Sequence, residues 1–311
     1  MQATKRRGQL LDGVLLLDKP EGLSSNHALQ RAKRALDARK AGHTGTLDPF
    51  ATGLLVCCFG RATKLCGVML EADKCYEATL RFGEETDSGD LTGHIVARAP
   101  EGFAGVTRAS LLGVLPSFRG EIEQIPPMYS ALKRDGRPLY EYARQGIELE
   151  RPPRRVTIHR LELLDFGGGP MAGADASGRD ADGALPGMQA RLLVDCSKGT
   201  YIRTLAQDIG RQLGCGAHLV ALRRTRVGPF DIADSTGLET LQTMEQPQRM
   251  LLSLTETPCA ELFPPSGAGR SDLFPGAEAS SGSGGQAPAP GAGLPNDIGS
   301  GPDARGSSTE G

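Results

Sequence analysis

The stretch from Ala41 to Gly53, AGHTGTLDPFATG, constrains the fold of this chain more than any other. Its three glycines permit backbone conformations that other residues rarely adopt, and Pro49 fixes its own φ and restricts Asp48 before it. This run predicts a loop that presents the Asp48 carboxylate at a defined angle. An ordinary turn, in which Asp48 bonds to its own backbone, is the alternative interpretation.

Apolar segments lie on both sides of this loop. Before it, a stripe at helical spacing follows Ser24 and Ser25, either of which can cap a helix. After it, a continuous apolar run predicts a buried strand. Functional groups often sit on loops that such elements hold in place. The stripe consists of Leu29, Ala32 and Leu36, and the run is Leu54–Phe59.

Further elements follow from hydrophobic periodicity. Period-two alternation predicts strands with one buried face at Cys75–Phe82 and Ala190–Cys196. Thr200 is the predicted cap of a helix that Gly214 ends. Residues 238–262 predict an amphipathic helix pair. Helices and strands in irregular order indicate the α+β class.

The formal net charge of −2 conceals an uneven distribution. Residues 1–40 hold nine Arg and Lys against four acids, and residues 191–226 hold seven against two. Residues 263–311 hold two against five. A basic face beside an acidic tail is compatible with a phosphate backbone as partner, although an ordinary solvated mixture of charges explains the counts equally well.

The cysteines and the acidic residues give no sign of a metal site. Seven cysteines without a Cys-x-x-Cys pair predict a reduced, cytoplasmic protein with buried thiols. The loop from Gly83 to Gly93 has the composition of an oxygen-ligand site, but no Glu closes it where a calcium loop requires one. No apolar run reaches the roughly 18 residues that a membrane helix needs. We therefore expect no metal and no membrane association.

Six separated motifs resemble, in the same order, those of the bacterial TruB-type tRNA pseudouridine synthases. The resemblance covers about residues 10 to 260. Several motifs in the right order are far more specific than any one of them. The motifs are Asp18–Ser25, Gly42–Pro49, Lys74–Ala78, Cys196–Arg203, Gly214–Leu219 and Leu222–Arg224.

The resemblance implies a fold and an activity. The fold is an α+β core with a mixed, mostly antiparallel sheet, flanking helices and a central cleft. The activity is isomerisation of uridine to pseudouridine at position 55 in the T loop of tRNA, by base flipping and an aspartate nucleophile. The reaction imports no group and changes no oxidation state, so no cofactor is expected. The T arm of tRNA is the expected partner of a monomeric enzyme.

The resemblance also assigns catalytic roles to Asp48, Tyr76 and Arg203. Asp48 would attack the sugar or the base, or help to form a glycal-like intermediate, and the sequence does not separate these routes. A cation in the first turn of a helix opposes the helix dipole, which favours a carboxylate partner for Arg203. Asp48 is the partner that the family implies, and the pair would keep the pKa of that carboxyl low.

Tyr76 has two interpretations. The alternation of its strand places it on the buried face, which is typical of a core aromatic residue. Near a catalytic loop it would instead stack on a flipped base. The remaining candidates for the substrate site are His43, Lys19, Lys64, Asp90, Tyr201 and Leu222.

The predicted organisation is one catalytic domain over residues 10–262. Residues 118–155 resemble the insertion that grips the T arm, and their basic and aromatic side chains suit RNA. Residues 166–187 lack periodicity and predict a flexible insertion. Gly, Pro and Ser make up 27 of the 49 residues in 263–311, which predicts a disordered tail and no recognisable PUA-type domain.

Two other classes of function stay open on the sequence alone. A tRNA-binding or RNA-folding protein that acts without catalysis would not depend on Asp48. A hydrolase with Asp48 as nucleophile would need a second carboxylate or a metal cluster close by, and the loop with Asp87 and Asp90 offers one.

Overall fold

The computed structural model describes residues 8–168 and 188–262. Helices and strands follow one another in irregular order, as expected for the α+β class. The strands are β1 Gly13–Lys19, β2 Ala41–His43, β3 Thr52–Phe59, β4 Lys74–Phe82, β5 Glu84–Thr86, β6 Ile95–Arg98, β7 Gly120–Gln124, β8 Lys133–Arg134, β9 Arg137–Pro138, β10 Arg154–Gly168, β11 Met188–Cys196, β12 Ala217–Val227, β13 Phe230–Asp231 and β14 Thr236–Gly237.

The α-helices are short and lie on the surface of the sheet. Short 3-10 turns also occur, among them Gly60–Lys64 and Pro247–Met250. Among the helices that the structure describes, none is long and apolar enough to cross a membrane. The helices are α1 Ser25–Ala35, α2 Leu65–Leu70, α3 Arg108–Val114, α4 Leu139–Ala143, α5 Ile202–Gln212 and α6 Leu238–Thr243.

Within the described residues, ten strands form one sheet. Eight lie side by side in the order β14-β1-β3-β12-β4-β11-β10-β7, while β2 pairs with β3 and β13 with β12. In this part of the chain the pairings β1–β14 and β3–β12 are parallel, and the other pairings in the sheet are antiparallel. The predicted mixed, mostly antiparallel sheet is confirmed, and the central cleft stays a prediction.

The burial of each strand explains its sequence pattern. Strand β4 alternates strictly between buried and half-buried residues, so the predicted one-sided strand is confirmed. Strand β1 is covered on both faces, because Leu15 and Leu17 pack with α1 and α6 while Val14 and Leu16 join the cluster that contains α2. A strand buried on both sides reads as a continuous apolar run rather than as an alternating one.

Two local predictions are wrong. Thr200 does not cap α5: its hydroxyl donates to the carbonyl of Ser197 at 2.9 Å. The cap position is Tyr201, and its N–H donates to the Oε1 of Gln124 on β7 at 3.0 Å. Gln124 therefore holds the backbone of the cap residue, and the cap residue itself makes no side-chain cap hydrogen bond.

The predicted helix pair over 238–262 is also not formed. The α-helix in this segment is α6, which ends at Thr243, and 3-10 turns and bends follow it. Pro247 restricts Gln246, which adopts φ −129° and ψ 67° and cannot continue a helix. The predicted tail over 263–311 lies outside the described residues, as does the predicted insertion over 166–187 apart from 166–168, which end β10.

Candidate active site

The loop that carries Asp48 connects β2 to β3, so the sheet holds both of its ends. Leu47 and Phe50, on either side of Asp48, are buried in the same apolar cluster as Tyr76 and Leu222. The loop therefore lies on the face of the sheet formed by β4 and β12, with its apolar residues as anchors. The fold brings Asp48, Tyr76 and Leu222 to one region although they come from three separate motifs.

Ser25, in the first turn of α1, fixes the backbone beside the carboxylate. Its Oγ accepts from the N–H of Leu47 at 2.7 Å and donates to the carbonyl of the same residue at 3.0 Å. Ser25 is 1% exposed, so water does not compete for these bonds. The sequence singled out Ser25 as a possible helix cap, but Ser24 is the cap and Ser25 contacts the loop.

Replacing Ser25 with Ala is expected to destabilise the protein by about 1–3 kcal/mol, because a buried N–H and carbonyl of Leu47 lose their partner. Chemical denaturation of the wild type and the variant measures this loss. Ser117→Ala is the matched control, since Ser117 is exposed on a surface turn. Equal losses for the two variants would contradict the assignment of Ser25 as a loop anchor.

Asp48 and Arg203 form a close ion pair although 155 residues separate them. The Nε of Arg203 lies 2.9 Å from Oδ2 of Asp48, and Nη2 lies 3.4 Å from Oδ1. The Arg203 side chain is 5% exposed, whereas that of Asp48 is 34% exposed. The guanidinium thus holds the carboxylate from the protein side and leaves it open to a substrate from the other.

Other contacts fasten Arg203 in this position. Its Nη1 donates to the carbonyl of Ser88 at 2.8 Å and its Nη2 to the carbonyl of Tyr129 at 2.6 Å. The Oδ2 of Asp90 lies 3.8 Å from its Nε. Asp90 is itself held by Ser88, whose hydroxyl donates to Oδ1 at 2.8 Å. The predicted candidates Asp48, Arg203 and Asp90 therefore form one cluster.

Burial raises the pKa of Asp48 above its ordinary value, and the charge of Arg203 opposes that rise. The negative charge of Asp90 adds to it. The low pKa predicted from the Arg203 partner is therefore wrong in direction: Arg203 acts as expected, but the desolvation of a loop packed against the core outweighs it.

Tyr76 is 9% exposed on β4, where its cross-strand neighbours are Val194 and Arg224. It is part of the apolar core cluster, as the interpretation as a core aromatic predicted. It also lies beside the Asp48 loop, because Leu47 belongs to the same cluster. Burial raises its pKa, so the hydroxyl is neutral at physiological pH.

Lys19 is fully buried where β1 ends. Its Nζ donates to the carbonyls of Leu23 at 2.6 Å, Pro20 at 2.8 Å and Pro49 at 3.3 Å. Burial lowers the pKa of this lysine to about 8, and the nearby Asp48 carboxylate acts against the shift. Lys19 thus ties the turn after β1 to the residue that follows Asp48.

His43 ends β2 and is half-buried. Its Nδ1 accepts from the N–H of Gly45 at 3.4 Å, which requires an unprotonated Nδ1. Burial lowers the pKa of His43, and the charge of Arg224 lowers it further. The imidazole is therefore neutral at physiological pH, and its ring edge can contact a base without carrying charge.

The other three candidates differ in their surroundings. Tyr201 is the cap residue of α5 and lies two residues before Arg203. Gln124 holds its backbone through hydrogen bonds to its N–H and its carbonyl. Leu222 is 7% exposed on β12, opposite Ala78 of β4. Lys64 is exposed at the end of the turn after β3, and no hydrogen bond or ion pair in the described part of the chain links it to the Asp48 cluster.

Comparison with known proteins decides the family. The N-terminal domain model of TruB family pseudouridylate synthases matches residues 33–202, and the C-terminal domain model of tRNA pseudouridylate synthase B matches residues 203–256. The chain belongs to the TruB family. The boundary between the two models falls between Ile202 and Arg203, so the Asp48–Arg203 ion pair joins them.

Relatives within the TruB family are similar over most of the chain. The tRNA pseudouridine synthase B of Bordetella pertussis is 69% identical over 258 residues, which cover 83% of this chain and 98% of the relative. That of Aromatoleum aromaticum is 54% identical over 253 residues, 80% of this chain and 75% of the relative.

Solved structures show the same fold. A chain in the crystal structure of a Cbf5-Nop10-Gar1 complex matches with a TM-score of 0.57 and 27% identity, over 79% of this chain and 61% of that one. A chain of an H/ACA RNP bound to a substrate RNA containing 2′-deoxyuridine matches with a TM-score of 0.53 and 26% identity, over 78% and 59%. This TruB family chain thus spans about 60% of those solved chains.

The raised pKa of Asp48 predicts how activity of this TruB family protein depends on pH. On the expectation that Asp48 is the nucleophile and must be ionised, activity is predicted to fall as the pH falls through that pKa, which lies above the range of an ordinary aspartate near 4. Asp90→Asn removes a negative charge that raises the pKa of Asp48, and it is expected to move the acid limb of kcat/KM to lower pH. Exposed Asp165, changed to Asn, is the control. A limb that stays in place or moves upward in Asp90→Asn would contradict the electrostatic coupling.

Proposed function

We propose that this chain isomerises uridine to pseudouridine at position 55 in the T loop of tRNA, with Asp48 as the nucleophile. The observation that carries the proposal is the half-exposed Asp48 carboxylate held at 2.9 Å by a buried Arg203, in a chain of the TruB family. The relatives named tRNA pseudouridine synthase B support the same reaction and the same class of substrate.

The reaction exchanges one bond of the nucleoside for another. The glycosidic bond between N1 and C1′ breaks, the base turns, and a bond forms between C5 and C1′. The proton on C5 leaves and N1 gains one, so the atoms of the nucleotide are conserved. Asp48 attacks C1′ of the sugar or C6 of the base, or assists departure of the base to give a glycal-like intermediate.

The neighbours of Asp48 divide the remaining work. Arg203 keeps the carboxylate ionised and oriented, since it opposes the rise of its pKa and is itself fixed by two carbonyls. Tyr76 stacks on the extruded base, with Leu222 in the same apolar wall. Neutral His43 contacts the RNA where the uridine leaves its loop. Lys19 holds the loop backbone at Pro49.

The proposed site has three further members, which differ in their relation to Asp48: Asp90, Tyr201 and Lys64. Asp90 tunes the charge of the Asp48 cluster through Arg203. Tyr201 lies at the start of α5 and lines the pocket from that side. Lys64 is exposed and would contact a phosphate rather than the reacting uridine.

We further propose that residues 118–155 grip the T arm. Arginine side chains stack on tyrosine rings in this segment: Arg137 lies 4.7 Å from the ring of Tyr142, and Arg144 lies 5.3 Å from that of Tyr140. Exposed arginines stacked on half-buried tyrosine rings offer both a charge and a stacking surface to RNA. The domain acts as a monomer in the cytoplasm in this proposal.

Pseudouridine mapping on an unmodified tRNA transcript tests the proposal. The wild-type protein is expected to convert the T-loop uridine at position 55 alone, and a transcript with cytidine at that position is the matched substrate control. Release of free uracil, leaving an abasic site, would indicate a hydrolase. Binding of the tRNA without conversion or cleavage would overturn the enzymatic proposal in favour of an RNA-binding role.

A further inference from the structure

Arg224 is a fully buried cation that the catalytic scheme above does not use. It lies on β12 and is 1% exposed. Its Nε donates to the carbonyl of Leu54 at 2.8 Å, its Nη2 to that of Gly45 at 3.3 Å and its Nη1 to that of Thr46 at 3.5 Å. These carbonyls lie on both sides of Asp48 along the chain, so one guanidinium contacts the loop before its carboxylate and strand β3 after it.

Two glycines of the loop allow this close approach. A Cβ atom on Gly53 would lie 2.3 Å from the carbonyl oxygen of Arg224, and Gly53 adopts φ +102°. Gly45 adopts φ +136°, and a Cβ there would lie 3.6 Å from Nη1 of Arg224. A glycine is therefore required at position 53 because the backbone of β12 lies too close for a side chain. Gly45 adopts the turn that directs its carbonyl toward the guanidinium.

The other side of Arg224 faces Tyr76. The two residues are directly paired across β12 and β4. Among the described residues, the hydrogen-bond partners of Arg224 are three carbonyl oxygens and the Tyr76 side chain, and none of them is a carboxylate. Its charge is therefore not neutralised locally, and a buried guanidinium of this kind is expensive to desolvate. An apolar residue would avoid that desolvation but would leave the three carbonyls without this donor, so the guanidinium acts here by holding those carbonyls in place.

We infer that Arg224 is a positioning residue, which sets the Asp48 loop against Tyr76 from within the sheet. This inference rests on the proposed isomerisation for its kinetic consequences. The guanidinium links the loop at Gly45 and Thr46 to strand β3 at Leu54 through one planar fork, which a lysine cannot reproduce with a single nitrogen. Its charge acts on His43 across the same loop.

The charge of Arg224 has a measurable consequence at His43. It is one of the causes that lower the pKa of His43 below 6.5. His43 also accepts from the N–H of Gly45, the residue whose carbonyl accepts from Arg224. The pKa of His43 is lowered mainly by burial, in which the guanidinium has no role. The guanidinium therefore acts on this loop in two ways: its charge adds to that shift, and it donates a hydrogen bond to the Gly45 carbonyl.

Two substitutions separate these effects. Arg224→Lys keeps the charge and loses the fork, whereas Arg224→Gln loses the charge. Both are expected to lower kcat by about 100-fold, because a misplacement of about 1 Å at the reacting group has that effect. The KM for tRNA is expected to stay within a factor of about three, since Arg224 is buried beneath the loop and away from RNA. Arg226→Lys, on the same strand and ion-paired with Asp195, is the control with unchanged kinetics.

Titration of histidine resonances by NMR, on the protein without tRNA, supplies a readout that does not depend on turnover. The pKa of His43 is expected to rise toward 6.5 in Arg224→Gln and to stay low in Arg224→Lys. His43→Gln identifies the resonance. This arm distinguishes the two proposals, because it can succeed even when the wild type fails to isomerise uridine.

Several results would overturn the inference. One is an unchanged pKa of His43 in Arg224→Gln. Another is a loss of kcat in Arg224→Lys that merely follows the fraction of folded protein, measured by circular dichroism. Unfolding of both variants would overturn it as well, because Arg224 would then be a determinant of the fold rather than of the site.

Discussion

Asp48→Asn is expected to lower the rate of pseudouridine formation by at least about 10⁴-fold, the scale of loss seen when a nucleophile is removed from an enzyme. Asn has nearly the same shape and keeps one carbonyl oxygen for Arg203, so the geometry of the loop is preserved. The affinity for tRNA is expected to be equal or higher, because the substitution removes a negative charge from a site that takes a polyanion. Single-turnover conversion and tRNA binding measure the two effects separately.

The stability of Asp48→Asn provides a second check. The folded-state pKa of Asp48 is raised, so its ionised form destabilises the fold at neutral pH. That cost declines as the pH falls through the folded-state pKa, and it is absent below the pKa of the unfolded chain. A neutral Asn avoids that cost, and the buried Arg203 keeps Asp90 and the carbonyls of Ser88 and Tyr129 as partners. The melting temperature is therefore expected to be no lower than that of the wild type. The exposed Asp165→Asn should change neither rate nor stability. Conversion that survives in Asp48→Asn would discard the proposed nucleophile while leaving the activity in place.

Arg203→Gln is expected to have the second-largest effect on catalysis, about 10³-fold in kcat, together with a loss of about 3–5 kcal/mol in stability. The substitution leaves Asp48 without its counter-charge, so the pKa of Asp48 rises further and less of it is ionised at neutral pH. It also removes the donors to the carbonyls of Ser88 and Tyr129. Single-turnover rates below the melting temperature, measured across pH, test both consequences.

Arg203→Lys separates charge from geometry. It keeps the positive charge but cannot contact Asp48, Ser88 and Tyr129 at once, so kcat is expected to fall by about 10²-fold. The acid limb of the pH profile is expected to stay near its wild-type pH, because the charge beside Asp48 is retained. The matched control is Arg211→Gln on the same helix. Arg211 pairs with Glu85 at the surface, where such pairs contribute about 0–1 kcal/mol. A comparable loss of kcat in Arg211→Gln would count against a specific role for Arg203.

The candidate site could be predicted where a residue carries its own signal. Asp48 lies in a loop whose glycines and proline exclude regular structure, and the alternation of β4 placed Tyr76 on the buried face. The positive charge of Arg203 in the first turn of its helix is unfavourable with the helix dipole, which predicts a carboxylate partner. The structure supplies that partner at 2.9 Å.

Sequence patterns failed where the partner of a residue lies far along the chain. Nothing local indicates that Gln124 would hold the backbone of Tyr201 at the start of α5, since 77 residues separate the two. The contact of Ser25 with Leu47 spans 22 residues and is equally invisible to periodicity. The direction of the pKa of Asp48 was missed because desolvation depends on packing, which a list of neighbouring charges does not contain.

The place of β12 in the sheet has a consequence for how the protein is made. This strand, residues 217–227, lies between β3 and β4, which precede it by more than a hundred residues. Until it emerges from the ribosome, the growing chain holds two half-sheets whose facing edges are open. Open edges pair readily with other chains. The nascent protein is therefore most prone to aggregation during synthesis, and one late strand ends that period by closing the gap.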